Sequence, residues 1–240
     1  MSTFEDIEQL EILKKTTPAR IGIGSVGSRY TTRAMLNFLA DHAAANDAVY
    51  DEVPSEVVES LGVFEVKTKC NNKQDMIKRP DWGREFSDEM LNIISEKCVH
   101  DIDVQIYFGD GLCSPSIKAN VPDLFGAIST ELLSRGITVG TPFFVRYCRV
   151  NTTRLIAPLL NAKVTCVLIG ERPGLLTSES MSAYIAYNAR PDMQESEYTV
   201  VSNISRVGVP PVEAAAHIAD LIADILEKKC SGVEYSNLER

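Results

Sequence analysis

The most unusual chemistry-bearing string in the chain is Gly170-Glu171-Arg172-Pro173-Gly174-Leu175. It sets two opposite charges among turn-forming residues, directly after the strongest strand-like run, Val164 to Ile169. A carboxylate on such a turn can accept hydrogen bonds from a ligand, and a guanidinium can donate them. The same string also reads as a solvated charge pair on a turn stiffened by Pro173 and Gly174. A second acid, Asp110, lies in Gly109-Asp110-Gly111-Leu112 after another strand-like run. Its small neighbours let a ligand or another backbone approach, although a plain Asp-Gly turn has the same form.

Other sources of chemistry are weaker. Gly22-Ile23-Gly24-Ser25-Val26-Gly27 matches the dinucleotide pattern G-x-G-x-x-G before a helix. The preceding Ala19-Arg20-Ile21 is too short for the strand that pattern needs, and Asp41 and Asp47 fall in or at the end of the helix, where no second strand presents them. A stand-alone nucleotide-dependent oxidoreductase is therefore disfavoured against a glycine loop before a capped helix. His42, His100 and His217 are isolated from one another, which suits surface or helix-packing roles. No G-x-S-x-G, Walker loop or H-E-x-x-H is present. No catalytic and no metal-ligating residue is assigned on these grounds, and the chemistry points to dependence on another chain.

The elements that must position these residues form an alternating series. Phe4, Ile7, Leu10 and Leu13 recur every third position and predict a short amphipathic helix in an N-terminal arm, residues 1–18. Thr31 and Thr32 can cap a helix carrying Met35, Leu36, Leu39 and Ala43 on one face. Lys67 to Gly83 is polar, without a sustained period, and reads as a connector. From Ser87 onward the reading is a capped helix through Ile94, a strand over Val104–Phe108, and a helix through Leu124, Ile128 and Leu132 to Gly136. Strands follow at Thr141–Val145 and Val164–Ile169, separated by a helical segment over Asn151–Leu160 that Pro158 interrupts. Pro210-Pro211 opens the last helix, with Ala215, Ile218, Ile222 and Ile225 as its apolar stripe.

This rhythm predicts an α/β fold: an open, mostly parallel, Rossmann-like sheet flanked by helices, with an N-terminal helical extension. The expected organisation is the arm, a helical part over residues 19–100, and an α/β ligand-contacting domain over residues 101–240. Ligands in such sheets bind beyond the carboxyl ends of the strands, so the loops after Phe108, Val145 and Ile169 are where a site is expected.

Composition narrows the partners. At 240 residues with 45% hydrophobic residues the chain can bury a substantial core. Its 33 acidic against 24 basic side chains give a formal charge of -9, which disfavours nucleic acid and anionic membranes. The longest apolar stretch falls far short of the roughly 18 residues that suggest a span. The acidic start Met1–Lys15 carries no secretory pattern. Six scattered cysteines without a C-x-x-C pair fit free thiols in a reducing cytoplasm.

The order of blocks adds a resemblance. Asp41-His42-Ala43, Asp47-Ala48-Val49, Asp103-Val104-Gln105-Ile106, Gly109 to Leu112, Val145-Arg146, Arg149-Val150, Gly170 to Leu175, Ser202-Asn203-Ile204 and Pro210 to Ala215 stand together here. From about Arg20 to Gly232 the chain resembles the ethanolamine ammonia-lyase small subunit. That resemblance implies an α/β subunit that completes an adenosylcobalamin site against a large, barrel-shaped subunit holding ethanolamine. It implies too that the cofactor keeps its own benzimidazole on cobalt, and that homolysis of its cobalt–carbon bond starts a radical rearrangement that releases acetaldehyde and ammonia.

Motif matching carries the family's cobalamin contacts onto Val150, Glu171 and Val200. Glu171 is the strongest of these, because corrin side chains end in amide NH2 donors and an ionised carboxylate is a strong acceptor. At Val200 the family often has cysteine, so a sulfur contact is lost while a main-chain contact can persist. The resemblance further implies a higher oligomer of heterodimers in the cytoplasm, within a bacterial microcompartment. The arm then serves either as a packaging segment or as an ordinary arm helix. A diverged, non-catalytic assembly or cargo protein of the same fold is the alternative.

Overall fold

A computed structural model describes residues 4–238 of the chain. The elements run in order as α1 (Phe4–Thr16), β1 (Ser25–Val26), β2 (Arg29–Tyr30), α2 (Thr32–Tyr50), α3 (Ser55–Ser60), β3 (Phe64–Lys67), α4 (Lys73–Lys78) and α5 (Asp88–Lys97). There follow β4 (Val104–Gly109), α6 (Pro115–Ser134), β5 (Phe143–Arg146), α7 (Thr153–Leu160), β6 (Val164–Gly170), β7 (Met181–Tyr187), β8 (Thr199–Ile204), α8 (Pro211–Lys228) and α9 (Gly232–Leu238). The main sheet has the order β3-β5-β4-β6-β7-β8. Its first four strands are parallel, and β7 and β8 are added antiparallel.

The central strands β4 and β6 are buried along their whole length, as expected of a sheet covered on both faces. Their side chains divide strictly by the period of two. Val104, Ile106, Phe108, Cys166 and Leu168 enter one core with α6 and α8, while Tyr107, Val167 and Ile169 enter the other with α5 and α7. The expected stripe on α8 closes the first core through Ala215, Ile218, Ile222 and Ile225, all at most 1% exposed. The expected α/β architecture is therefore present, and α7 runs through Pro158 without ending there.

Several features add to this outline. β3 is a short edge strand paired parallel to β5, with Val66 buried in the core, and across the pair Arg146 on β5 forks onto both carboxylate oxygens of Glu65, at 2.8 and 2.6 Å. With β3 and α5, the sheet layer draws on residues before 101. β7 and β8, for which the residues gave no strand reading, add antiparallel beyond β6, and α9 follows α8. The segment around Gly22–Gly27 makes only the small ribbon β1-β2, separate from the main sheet, so the strand-turn-helix of a dinucleotide fingerprint is not formed.

Helix α2 begins as expected, the Thr31 hydroxyl accepting the Ala34 N–H at 3.3 Å. Its apolar residues Met35, Leu36 and Leu39 stay exposed, and Ala48 is its buried residue. In the arm, Ile7 and Leu13 are also exposed. The side chain of Phe4, the first residue of the expected stripe, lies outside the described residues, as do Met1 to Thr3.

The two-core packing sets clear expectations for stability. Ile128→Ala, fully buried on α6, should cost about 2–5 kcal/mol in urea unfolding. Leu133→Ala, on the same helix but 61% exposed, should stay within about 0.5 kcal/mol.

Candidate functional site

The three loops expected to carry ligand contacts meet at the carboxyl ends of β4, β5 and β6. There they line a cleft of about 410 Å³ with residues of β7 and β8. A smaller hollow of about 250 Å³ between α2 and residues 174–179 lacks the strand-end setting. What distinguishes the cleft is convergence: Val150, Glu171 and Val200, drawn from three distant parts of the sequence, all line it.

Its floor rests on a buried ion pair. Asp110 is fully buried and Lys73 is 3% exposed, with Nζ 3.0 Å from Oδ2. The Lys73 ammonium also donates to the Gly111 carbonyl at 2.8 Å, and Asp110 Oδ1 accepts the Cys148 N–H at 2.8 Å. The acid in the Asp-Gly turn is thus directed inward to bind the protein itself. Gly111 has φ +53°, and a Cβ there would stand 2.2 Å from the Gly170 carbonyl oxygen. The turn after β4 can cross the end of β6 this closely only with glycine.

Val150 opens a single 3-10 turn over Val150–Thr152. Its carbonyl accepts both the N–H and, at 3.0 Å, the hydroxyl of Thr153. Both lone pairs are engaged, so Val150 offers the cleft its apolar side chain. Val200, on β8 opposite Tyr184, is 44% exposed.

Glu171 is half-buried, and its N–H donates to the Ser180 carbonyl at 3.0 Å. The carboxylate accepts the Ser180 hydroxyl at 2.6 Å and the Asn203 N–H at 2.9 Å, together with the Ser182 hydroxyl. Among the described residues it makes no ion pair with Arg172, which is exposed, so the solvated charge pair is not what forms. Beside it, Arg149 donates to the Met76 carbonyl at 2.8 Å. Burial, helped by the nearby cations Arg84 and Arg172, holds its guanidinium below the ordinary arginine range.

Several of these residues escaped a reading of the sequence. Lys73 was placed in a featureless connector. Ser182 and the Asn203 amide carry no motif signal as ligand-site residues, because what recruits them is pairing between β7 and β8. The helix cap at Asn72, whose side chain accepts the Asp75 N–H, was a visible local sign of α4 but not of its buried lysine. The histidines lie away from the cleft, and His100 bonds the Ser95 carbonyl at 2.8 Å.

Fold and site together define an α/β protein with an open, partly polar cleft at its strand ends. The cleft has one charged acceptor flanked by apolar side chains. The family model for ethanolamine ammonia-lyase light chain (EutC) matches residues 7–235. The chain is 49% identical over 230 residues to an ethanolamine ammonia-lyase small subunit of Clostridium tetani, covering 96% of this chain and 78% of that one. A small subunit of Clostridium acetobutylicum is 48% identical over 227 residues, covering 95% and 94%. One of Fusobacterium nucleatum is 49% identical over 219 residues, covering 91% and 74%. The chain belongs to the ethanolamine ammonia-lyase light-chain family.

Two measurements follow from the buried groups. Lys73→Met leaves Asp110 charged without its partner and should cost about 3–5 kcal/mol in urea unfolding. Burial pushes the Cys148 thiol from 9.0 up to about 12. At pH 8 its thiolate fraction then falls on the order of a thousandfold, so thiol reagents should leave it unmodified until the chain unfolds. The sign for stability is the same: the contribution of this thiol is complete below pH 9 and declines as pH rises toward 12, because the unfolded chain ionises first.

Proposed function

We propose that this chain forms the small-subunit side of an adenosylcobalamin site. Docked to a large subunit, it completes an enzyme that converts ethanolamine to acetaldehyde and ammonia. The observation that carries this reading is the convergence of Val150, Glu171 and Val200 on one strand-end cleft. The donor set suits a corrinoid. Three donors occupy Glu171, so of about four lone-pair positions one remains, on Oε2, to accept from a peripheral amide NH2. Val150, Tyr184 and Val200 offer apolar surface to the body of the ring. A cleft of about 410 Å³ holds only an edge of so large a molecule, which favours a site shared with a second chain.

When bound, the cofactor supplies the radical chemistry. The work of this chain is to bind and orient. Glu171 would hold a peripheral amide of the ring by hydrogen bonding, and Val150 and Val200 would keep water from the apolar surface they meet. Val200 has no sulfur to offer, so its contribution is apolar contact or a main-chain group. The ethanolamine site is assigned to the large subunit, and the working assembly to a higher oligomer of heterodimers.

The location we propose is the cytoplasm, within a protein-shelled microcompartment. All six cysteines are buried and free, as in a reducing compartment. Among the described residues no helix is long and apolar enough to cross a membrane. On α1 the exposed Ile7 and Leu13 lie on the same side as the half-buried Leu10, and a packaging contact would form on that side.

Ammonia release is measured with this chain, its large subunit and adenosylcobalamin, together and singly. Turnover should need all three. Glu171→Ala should raise the half-saturating cofactor concentration about tenfold, the loss of one charge-assisted hydrogen bond. Turnover by this chain alone, or without cofactor, would sink the proposal. A complex that assembles but stays silent would favour the diverged scaffold.

A further inference from the structure

The cage around Glu171 depends on an irregularity in the sheet. Met181 pairs with Ile204 and Ala183 with Val201, so two β8 residues, Ser202 and Asn203, stand opposite Ser182 alone. This is a β-bulge, a feature that re-aims groups beside sites. Asn203 takes φ +60°, a left-handed conformation that asparagine tolerates better than most residues. Its N–H leaves the ladder and points to Glu171 Oε1. The turn that follows holds the bulge from behind. The Val209 N–H donates to the Asn203 carbonyl at 2.9 Å, and a Cβ on Gly208 would stand 2.2 Å from that oxygen.

Ser182 completes the arrangement from β7. It is 2% exposed, and its hydroxyl donates to the same Oε1 that the Asn203 amide binds. Oε1 is therefore saturated, while Oε2 holds only the Ser180 hydroxyl. A free glutamate side chain loses rotamer freedom when it is fixed. Here folding has already met that cost, and a ligand finds the carboxylate placed.

We infer that Ser182 and the bulged Asn203 amide are positioning groups that preset Glu171 for the cofactor. They act through the carboxylate and need no cofactor contact of their own. This rests on the reading of Glu171 as a cobalamin contact, and the experiment separates the two. Dissociation constants for hydroxocobalamin are measured by equilibrium dialysis on the complex with the large subunit. The variants are Glu171→Ala, Ser182→Ala, Ser182→Thr and the double Glu171→Ala/Ser182→Ala, each first shown to assemble by gel filtration and thermal unfolding.

Ser182→Ala should weaken binding about three- to tenfold, the worth of one hydrogen bond. Ser182→Thr, which keeps the hydroxyl, should return most of the affinity. The double variant should bind no worse than Glu171→Ala, since with the carboxylate gone there is nothing to position. Fully additive losses, or Thr no better than Ala in folded complexes, would overturn the inference and mark Ser182 as a packing residue. An unchanged constant for Glu171→Ala would instead overturn the cobalamin reading beneath it. If Ser182→Ala does not assemble, the same cycle is run with Ser182→Cys, which keeps the side chain's shape and replaces the hydroxyl with a weak donor.

Discussion

The ion pair between Lys73 and Asp110 is the constraint on which the strand-end region depends. Two charges this deeply buried are costly to desolvate, and the pair is tolerable because further hydrogen bonds surround it. The Cys148 N–H and the Gly111 carbonyl provide them. In doing so they tie α4 to the ends of both β4 and β5. The turn after β4, which Gly111 lets pass across the end of β6, is locked in the same stroke. The cleft therefore has a rigid floor built from three otherwise separate segments.

Above that floor the walls are set by strand pairing. β6 delivers Glu171 at its end, the turn after β5 delivers Val150, and β8 delivers Val200. The two antiparallel strands give the sheet a second kind of wall, and only there does a bulge free an amide for Glu171. A carboxylate with most of its acceptor positions filled by the protein is a selective acceptor: it is held still, and it has little left to offer except to one well-placed donor. The exposed apolar residues of α2 show a different economy, since a helix of that length with Ala48 as its buried residue contributes little to the chain's own cores.

Much of the scaffold was legible in the residues. The central strands announce themselves as apolar runs, the helices by caps such as Thr31 and Ser87, and α8 by its stripe behind Pro210-Pro211. The short edge strand β3 was not, because four residues of alternating burial carry too weak a pattern, and the strand β5 with which they pair lies far along the chain. β7 and β8 escaped for a related reason. Tyr184-Ile185 and Thr199-Val200-Val201 do favour strands, but nothing in the residues shows that the two segments pair antiparallel at the edge of a parallel sheet.

From the sequence alone came the α/β class, the strand-end loops as the place for a ligand, and the family resemblance that singled out Val150, Glu171 and Val200. Local pattern suffices for these because period, caps and turn residues act over a few positions. Tertiary structure alone decided that those three residues share one cleft. It also decided that Asp110 is consumed by a buried lysine, and that Ser182 and a bulged amide hold Glu171. Each of these is a contact between residues distant in the chain, and such contacts exist only once the sheet has brought its strands into register.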